Sequence, residues 1–128
     1  MGCAVTRINC VPVFELHGKH LVAEYRELPR IYALSYKAHK RGEQPEDHPD
    51  DYRLGKGHVK FFYSRLLYVR ARQAELIAEM LRRGFRPTFT TLPDLDLWPR
   101  SWQRNWEPEP RHHEINWQRI KENLSETR

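Results

Sequence analysis

The sequence predicts an all-α fold: a compact three-helix single domain with long irregular proline-rich connections. Two observations carry that expectation. Apolar residues recur at three- and four-residue spacing in three separate stretches, 19–41, 59–83 and 113–124, which is the period of an amphipathic helix. The intervening stretches, 42–53 and 86–110, hold prolines at positions 45, 49, 87, 93, 99, 108 and 110 and so resist regular structure. At 128 residues, 39% hydrophobic and 30% charged, the chain is large enough for one modest core.

The first helix, Lys19 to Arg41, organises the rest. Wound at about 100° per residue, it places Leu21, Tyr25, Leu28 and Tyr32 on one apolar stripe. Lys19, Arg26, Arg30, Lys37 and Arg41 fall in a line roughly opposite, and His20 and Glu27 share a third face beside that line. A solvated helix rich in Arg is the bland explanation. The single sign along the stripe favours a phosphate backbone instead. Glu27 is then a carboxylate where an anionic ligand would be repelled, which makes sense if it does chemistry. Pro29 removes one helix hydrogen bond and predicts a kink near Tyr25 to Leu28.

Before this helix, Ile8 to Phe14 is a short apolar run that Pro12 keeps from being a regular helix. After it, Gly42 to Arg53 reads as an acidic loop turned away from DNA. A second continuous helix is expected over Val59 to Arg83, with Val59, Phe62, Leu66, Val69, Gln73, Leu76 and Met80 facing the first helix and Gly84 as C-cap. Most of its cations, Lys60, Arg65, Arg70, Arg72, Arg82 and Arg83, are expected in solvent. Trp98, Trp102 and Trp106 recur every fourth residue, interleaved with Arg100 and Arg104. They could stack on bases, but a cap over the core is the favoured reading. His113, Trp117, Ile120 and Leu124 mark a third helix, with Arg119 and Lys121 off its apolar face.

Composition narrows the partners. A formal charge of +5 and a pI near 9.4 favour nucleic acid or an anionic surface. No apolar run has membrane-span length, and no signal-peptide core follows Met1. Cys3 and Cys10 form neither a metal spacing nor a disulfide framework, so a reducing cytoplasm is the default. His112 and His113 are adjacent and point to different helix faces, so no metal site is expected.

Thr6-Arg7-Ile8-Asn9, His20-Leu21 with Ala23-Glu24-Tyr25-Arg26-Glu27-Leu28-Pro29-Arg30, Gly57-His58-Val59 with Phe61-Phe62-Tyr63, and Arg72-Gln73 with Glu75-Leu76-Ile77-Ala78-Glu79 and Arg83-Gly84-Phe85 run in one collinear series. In this series the chain resembles the pyrimidine-dimer DNA glycosylases of the phage endonuclease V type, and the resemblance thins after Phe85. It implies that the first helix crosses between the other two. It also implies a monomeric DNA repair enzyme, a glycosylase with abasic-site lyase activity, acting on cyclobutane pyrimidine dimers in damaged double-stranded DNA. Such an enzyme would be cytoplasmic and nucleoid-associated in a bacterium or phage-infected cell, with no cofactor, no metal and no membrane partner.

The same resemblance implies that the amine of Thr6 attacks C1′ and forms an imine, with Glu27 as the catalytic carboxylate. An α-amine suits this because its ordinary pKa, about 8, leaves a useful unprotonated fraction at neutral pH. Arg7, His20, Arg26, Arg30 and Arg119 match residues that contact DNA around the lesion, and Lys19 replaces an uncharged residue and should add a phosphate contact. Asn123 stands where the family has Lys, and the family's aromatic-rich tail is absent. Residues 6–128 are expected to form the glycosylase domain. Residues 1–5 are expected to be an N-terminal extension, a start-site artefact or a cloning remnant, because Val5 sits where the initiator Met of Thr6 should be and a GTG start reads as Val. If they remain, Thr6 has an amide nitrogen, and a non-catalytic helical DNA-binding protein becomes the alternative. Gly2 with Thr6 also matches the myristoylation pattern, with Cys3 a second acylation site, which makes a lipid-anchored basic protein a distant third.

Overall fold

A computed structural model of the chain describes the backbone of residues 8–126 and the side chains of residues 8–122. It is helical, with α1 at Gly18–Glu27, α2 at Arg30–Lys40, α3 at His58–Phe62, α4 at Leu66–Arg82 and α5 at Pro110–Glu126, and short 3-10 turns between them. No strand occurs among the described residues. The all-α expectation therefore holds, but two of the three expected helices are each split in two.

The first split follows from Pro29. Its ring nitrogen has no proton to give the Tyr25 carbonyl, so α1 ends with Leu28 N–H donating to Glu24 O at 2.8 Å. The chain then bridges into α2 through tighter contacts, Ile31 N–H to Leu28 O at 3.0 Å and Tyr32 N–H to Pro29 O at 3.2 Å. Both Leu28 and Pro29 stay in the right-handed region, so the two helices follow one another as a bent pair. At its start α1 is capped by His17, whose Nδ1 accepts from Lys19 N–H at 3.1 Å.

The second split corrects the continuous helix expected over Val59 to Arg83. The break falls at Tyr63 to Arg65, and Arg65 leaves helical geometry at φ −128° and ψ 49°. Other elements supply the bonds that a helix would have made. Ser35 Oγ donates to Tyr63 O at 2.7 Å, Arg104 Nε donates to Ser64 O at 3.1 Å, and Leu67 N–H donates to Arg104 O at 3.2 Å. Spacing of apolar residues alone carries no record of those distant partners. Gly84, at φ +83°, closes α4 one position past its Arg83 C-cap, and Phe85 N–H reaches Met80 O at 2.8 Å.

The core lies between α1 and α4, the pair most closely packed, with Leu21, Tyr25, Leu28, Leu66, Val69, Leu76 and Met80 buried. Val59 is half-buried and Gln73 is fully packed, so the expected stripe of the second helix does face inward. Trp102 is 1% exposed between His39 and His48, at 5.3 and 5.0 Å between ring centres. Trp98 is buried and Trp106 half-buried, stacked on Tyr52 at 5.3 Å. The tryptophans thus cap the core and do not form a base-stacking ladder.

Candidate active site on the bent helix pair

Lys19, His20, Arg26 and Glu27 project from α1, and Arg30 begins α2 immediately after the proline bend. Lys19, Arg26, Arg30, Lys37 and Arg41 are all exposed, as expected of the cationic line. Arg30 Nη1 donates to Glu27 Oε1 at 2.9 Å. The bend carries this pair, so a cation lies directly against the Glu27 carboxylate. At the far end Arg41 holds Glu43, Nη2 to Oε2 at 2.7 Å.

Arg119 lies elsewhere on the described surface. It lines a cleft of about 700 Å³ with Leu54, Gly55, Glu114, Ile115, Gln118 and Glu122, and this described lining includes no residue of α1. Its Nη1 is 3.7 Å from Glu122 Oε1, and its buried Nε has no hydrogen-bond partner among the described residues. Thr6 and Arg7 lie outside the described residues, as do residues 1–5. The structure therefore places Lys19, His20, Arg26, Glu27 and Arg30 along one helix pair, with Arg30 against Glu27, and sets Arg119 on a separate helix.

Behind this surface lies a buried polar network that the sequence reading missed. Glu24 is 2% exposed and Arg72 3%. Arg72 grips it in two places, Nε to Oε2 at 2.8 Å and Nη2 to Oε1 at 3.1 Å, and Arg72 Nη1 donates to Val11 O at 2.7 Å. Arg72 is thus corrected from a solvated cation to a buried one. Burial works against its charge, but attraction to Glu24 overrides that and holds its pKa above the ordinary value. Arg65 is corrected likewise: it is buried over the Phe61 ring at 3.9 Å and donates to Phe61 O at 2.6 Å, and burial lowers its pKa to about 10. The available signal was position, since Glu24 falls between Leu21 and Leu28 on the apolar stripe, and a carboxylate there requires a buried partner.

The network pins the chain just after Thr6 and Arg7. Asn9 Nδ2 donates to Glu24 Oε1 at 2.8 Å, and Asn116 Nδ2 donates to Asn9 Oδ1 at 2.7 Å. Asn116 Oδ1 accepts the backbone amides of Cys10 and Val11, at 2.7 and 3.1 Å. Ile8 N–H donates to His58 Nε2 at 2.8 Å, while His58 Nδ1 donates to Arg53 O at 2.8 Å. An amide donor on one ring nitrogen and a carbonyl acceptor on the other fix His58 as the neutral Nδ1–H tautomer. Burial pushes the Cys10 thiol up to about 12, so it stays protonated and inert.

Asn116 also corrects the face of the last helix. α5 buries His112, Asn116 and Ile120, while His113 and Trp117 are half-buried at its edge. The asparagine turns inward because it satisfies two backbone amides that have no helix or sheet partner. His112 is held by Asp51, Nε2 to Oδ1 at 2.9 Å, which ties the 42–53 loop to α5.

A family model described as pyrimidine dimer DNA glycosylase matches residues 5–92 of this chain. The match spans more than half of the sequence and includes α1 to α4 and the segment pinned by His58 and Asn116.

Proposed function

Because the chain belongs to the pyrimidine dimer DNA glycosylase family, and so is a DNA repair glycosylase, we propose that it acts on cyclobutane dimers in duplex DNA through an imine to the Thr6 amine. Glu27 is the catalytic carboxylate in this reading. The observation that carries it is Glu27 itself, a half-buried carboxylate on an otherwise cationic helix face, held at 2.9 Å by Arg30. A carboxylate beside a line of cations suits a base that must sit next to a sugar flanked by phosphates.

The chemistry balances without a metal or cofactor. The unprotonated Thr6 amine attacks C1′ of the 5′ pyrimidine nucleotide while the C1′–N1 bond breaks, and the bonding pair and a proton go to the base. That base stays tethered to its 3′ neighbour through the cyclobutane ring. The nitrogen then passes a proton to the Glu27 carboxylate, the C1′–O4′ bond opens to a protonated imine, and Glu27 gives that proton to O4′. As carboxylate, Glu27 next removes a C2′ proton, and the C3′–O bond breaks with loss of the 3′ phosphate, which is β-elimination. Water hydrolyses the imine and returns the amine. Arg7, Lys19, His20, Arg26, Arg30 and Arg119 form the DNA contacts of a monomeric, nucleoid-associated enzyme. No helix of the described chain is long and apolar enough to cross a membrane.

Glu27→Gln separates catalysis from binding. The variant is expected to bind a dimer-containing duplex within about threefold of the parent and to lose at least about 100-fold in strand cleavage, the size of effect general acid–base groups supply. Cleavage at the parental rate would remove Glu27 from the catalytic role, and no cleavage by either protein with binding intact would favour a non-catalytic DNA-binding protein.

A further inference from the structure

The active-site reading places the nucleophile on the one part of a chain with the most freedom, its N-terminus. A terminal amine on a loose segment would lose most of the advantage of a positioned nucleophile, since orientation contributes a large share of a catalysed rate. The segment after Thr6 and Arg7 is the opposite of loose. Ile8 is 0% exposed and Val11 0%, and the backbone between them is gripped from four elements. Ile8 N–H is held by His58 of α3, and Ile8 O accepts from Tyr52 of the preceding loop at 3.3 Å. Asn9 O accepts from Tyr68 of α4 at 3.4 Å, and the amides of Cys10 and Val11 are held by Asn116 of α5.

The anchor is also set on the catalytic helix. Asn9 is bonded to Glu24, which lies four residues after His20 and three before Glu27, so His20, Glu24 and Glu27 form one ridge of α1. Chain geometry then limits the amine. Two residues separate the nitrogen of Thr6 from that of Ile8, a reach of at most about 7 Å. With Ile8 N–H fixed at 2.8 Å on His58, that two-residue reach starts from a held point.

We infer that His58 is a positioning residue for imine formation: through the Ile8 N–H···Nε2 bond it fixes the origin of the two-residue tether that carries the Thr6 amine. The inference rests on the Thr6 reading above. In this role His58 acts through the backbone. Its other nitrogen is held by Arg53 O, so the ring cannot turn away without losing a second bond.

The test uses the chain that starts at Thr6, which retains every described core contact because these begin at Ile8. Covalent complex trapped by borohydride on a duplex with one cyclobutane thymine dimer is timed at saturating enzyme, and the dissociation constant of the same duplex is measured without borohydride. His58→Phe keeps the ring volume and removes the acceptor. It is expected to slow trapping at saturation by at least tenfold with the dissociation constant within threefold. His58→Gln, whose carbonyl can accept the Ile8 amide, is expected to recover to within threefold of the parent. A glycine inserted between Arg7 and Ile8 leaves the anchor intact but lengthens the tether by one residue, and is expected to slow trapping like His58→Phe.

Parental trapping by His58→Phe, a loss confined to binding, or no recovery in His58→Gln would overturn the inference. If His58→Phe fails to fold, the insertion decides, and parental trapping by the insertion overturns it. Absence of any complex from the parent would instead overturn the Thr6 reading, and the positioning role with it.

Discussion

Arg72 and Glu24 form a two-point ion pair inside the protein, at 2.8 and 3.1 Å, with each side chain no more than 3% exposed. Each charge is tolerable there only because of the other. Arg72→Met should therefore destabilise the fold by about 3–5 kcal/mol, because it leaves Glu24 as an uncompensated buried charge. Adding Glu24→Gln should recover more than half of that loss, since the stranded charge is gone and Gln can still accept from Asn9. Equilibrium urea unfolding of the four proteins measures both. Simply additive losses would show that the pair is not coupled.

The exposed cations of α1 and α2 should act on DNA through phosphates. Lys19, Arg26 and Lys37 lie on the solvent side of the bent pair. For each one that meets a phosphate, substitution by Gln should flatten the plot of log affinity against log salt by about 0.9, with little effect on the preference for dimer-containing over intact duplex. Fluorescence anisotropy at several salt concentrations reads the slope. A change in lesion preference with an unchanged slope would mean that the residue reads the lesion and not the backbone.

Asp51 gives the fold an acid-sensitive tie. Hydrogen bonds from Arg111, at 2.9 Å, and from His112, also at 2.9 Å, hold its carboxyl well below the usual carboxylate range. A depressed folded pKa means that the contribution is fully present above the unfolded value, about 4, and fades as pH falls through the folded value. The stability gap between the parent and Asp51→Asn should thus shrink as pH falls below about 4. Thermal unfolding across pH checks this, and a gap that widens in acid would contradict it.

Much of this architecture is legible in the sequence, and what is hidden shares one cause. The apolar stripes of Leu21, Tyr25 and Leu28 and of Leu66, Val69, Leu76 and Met80 are local patterns, and so is the bend at Pro29. So is the cationic line with Glu27 beside it. The break at Tyr63 to Arg65 is not local: it exists because Ser35 and Arg104, distant in sequence, take the carbonyls of Tyr63 and Ser64. Arg72 looks like any surface arginine until Glu24 is seen opposite it. Asn116 likewise looks polar and outward, and it turns in only because Cys10 and Val11, more than a hundred residues earlier, need an acceptor. Long-range polar satisfaction leaves no periodicity to read.

Which nitrogen carries the sugar decides whether Thr6 is the nucleophile. The 128-residue chain and a chain that begins with Thr6 are each incubated with a cyclobutane-dimer duplex and borohydride, and the trapped complex is digested and mapped by mass spectrometry. We expect a reduced complex from the Thr6 chain, with the deoxyribose remnant on the α-nitrogen of Thr6, and little or none from the longer chain, where that nitrogen is an amide. A remnant mapped to a lysine, or equal trapping by both chains, would contradict it.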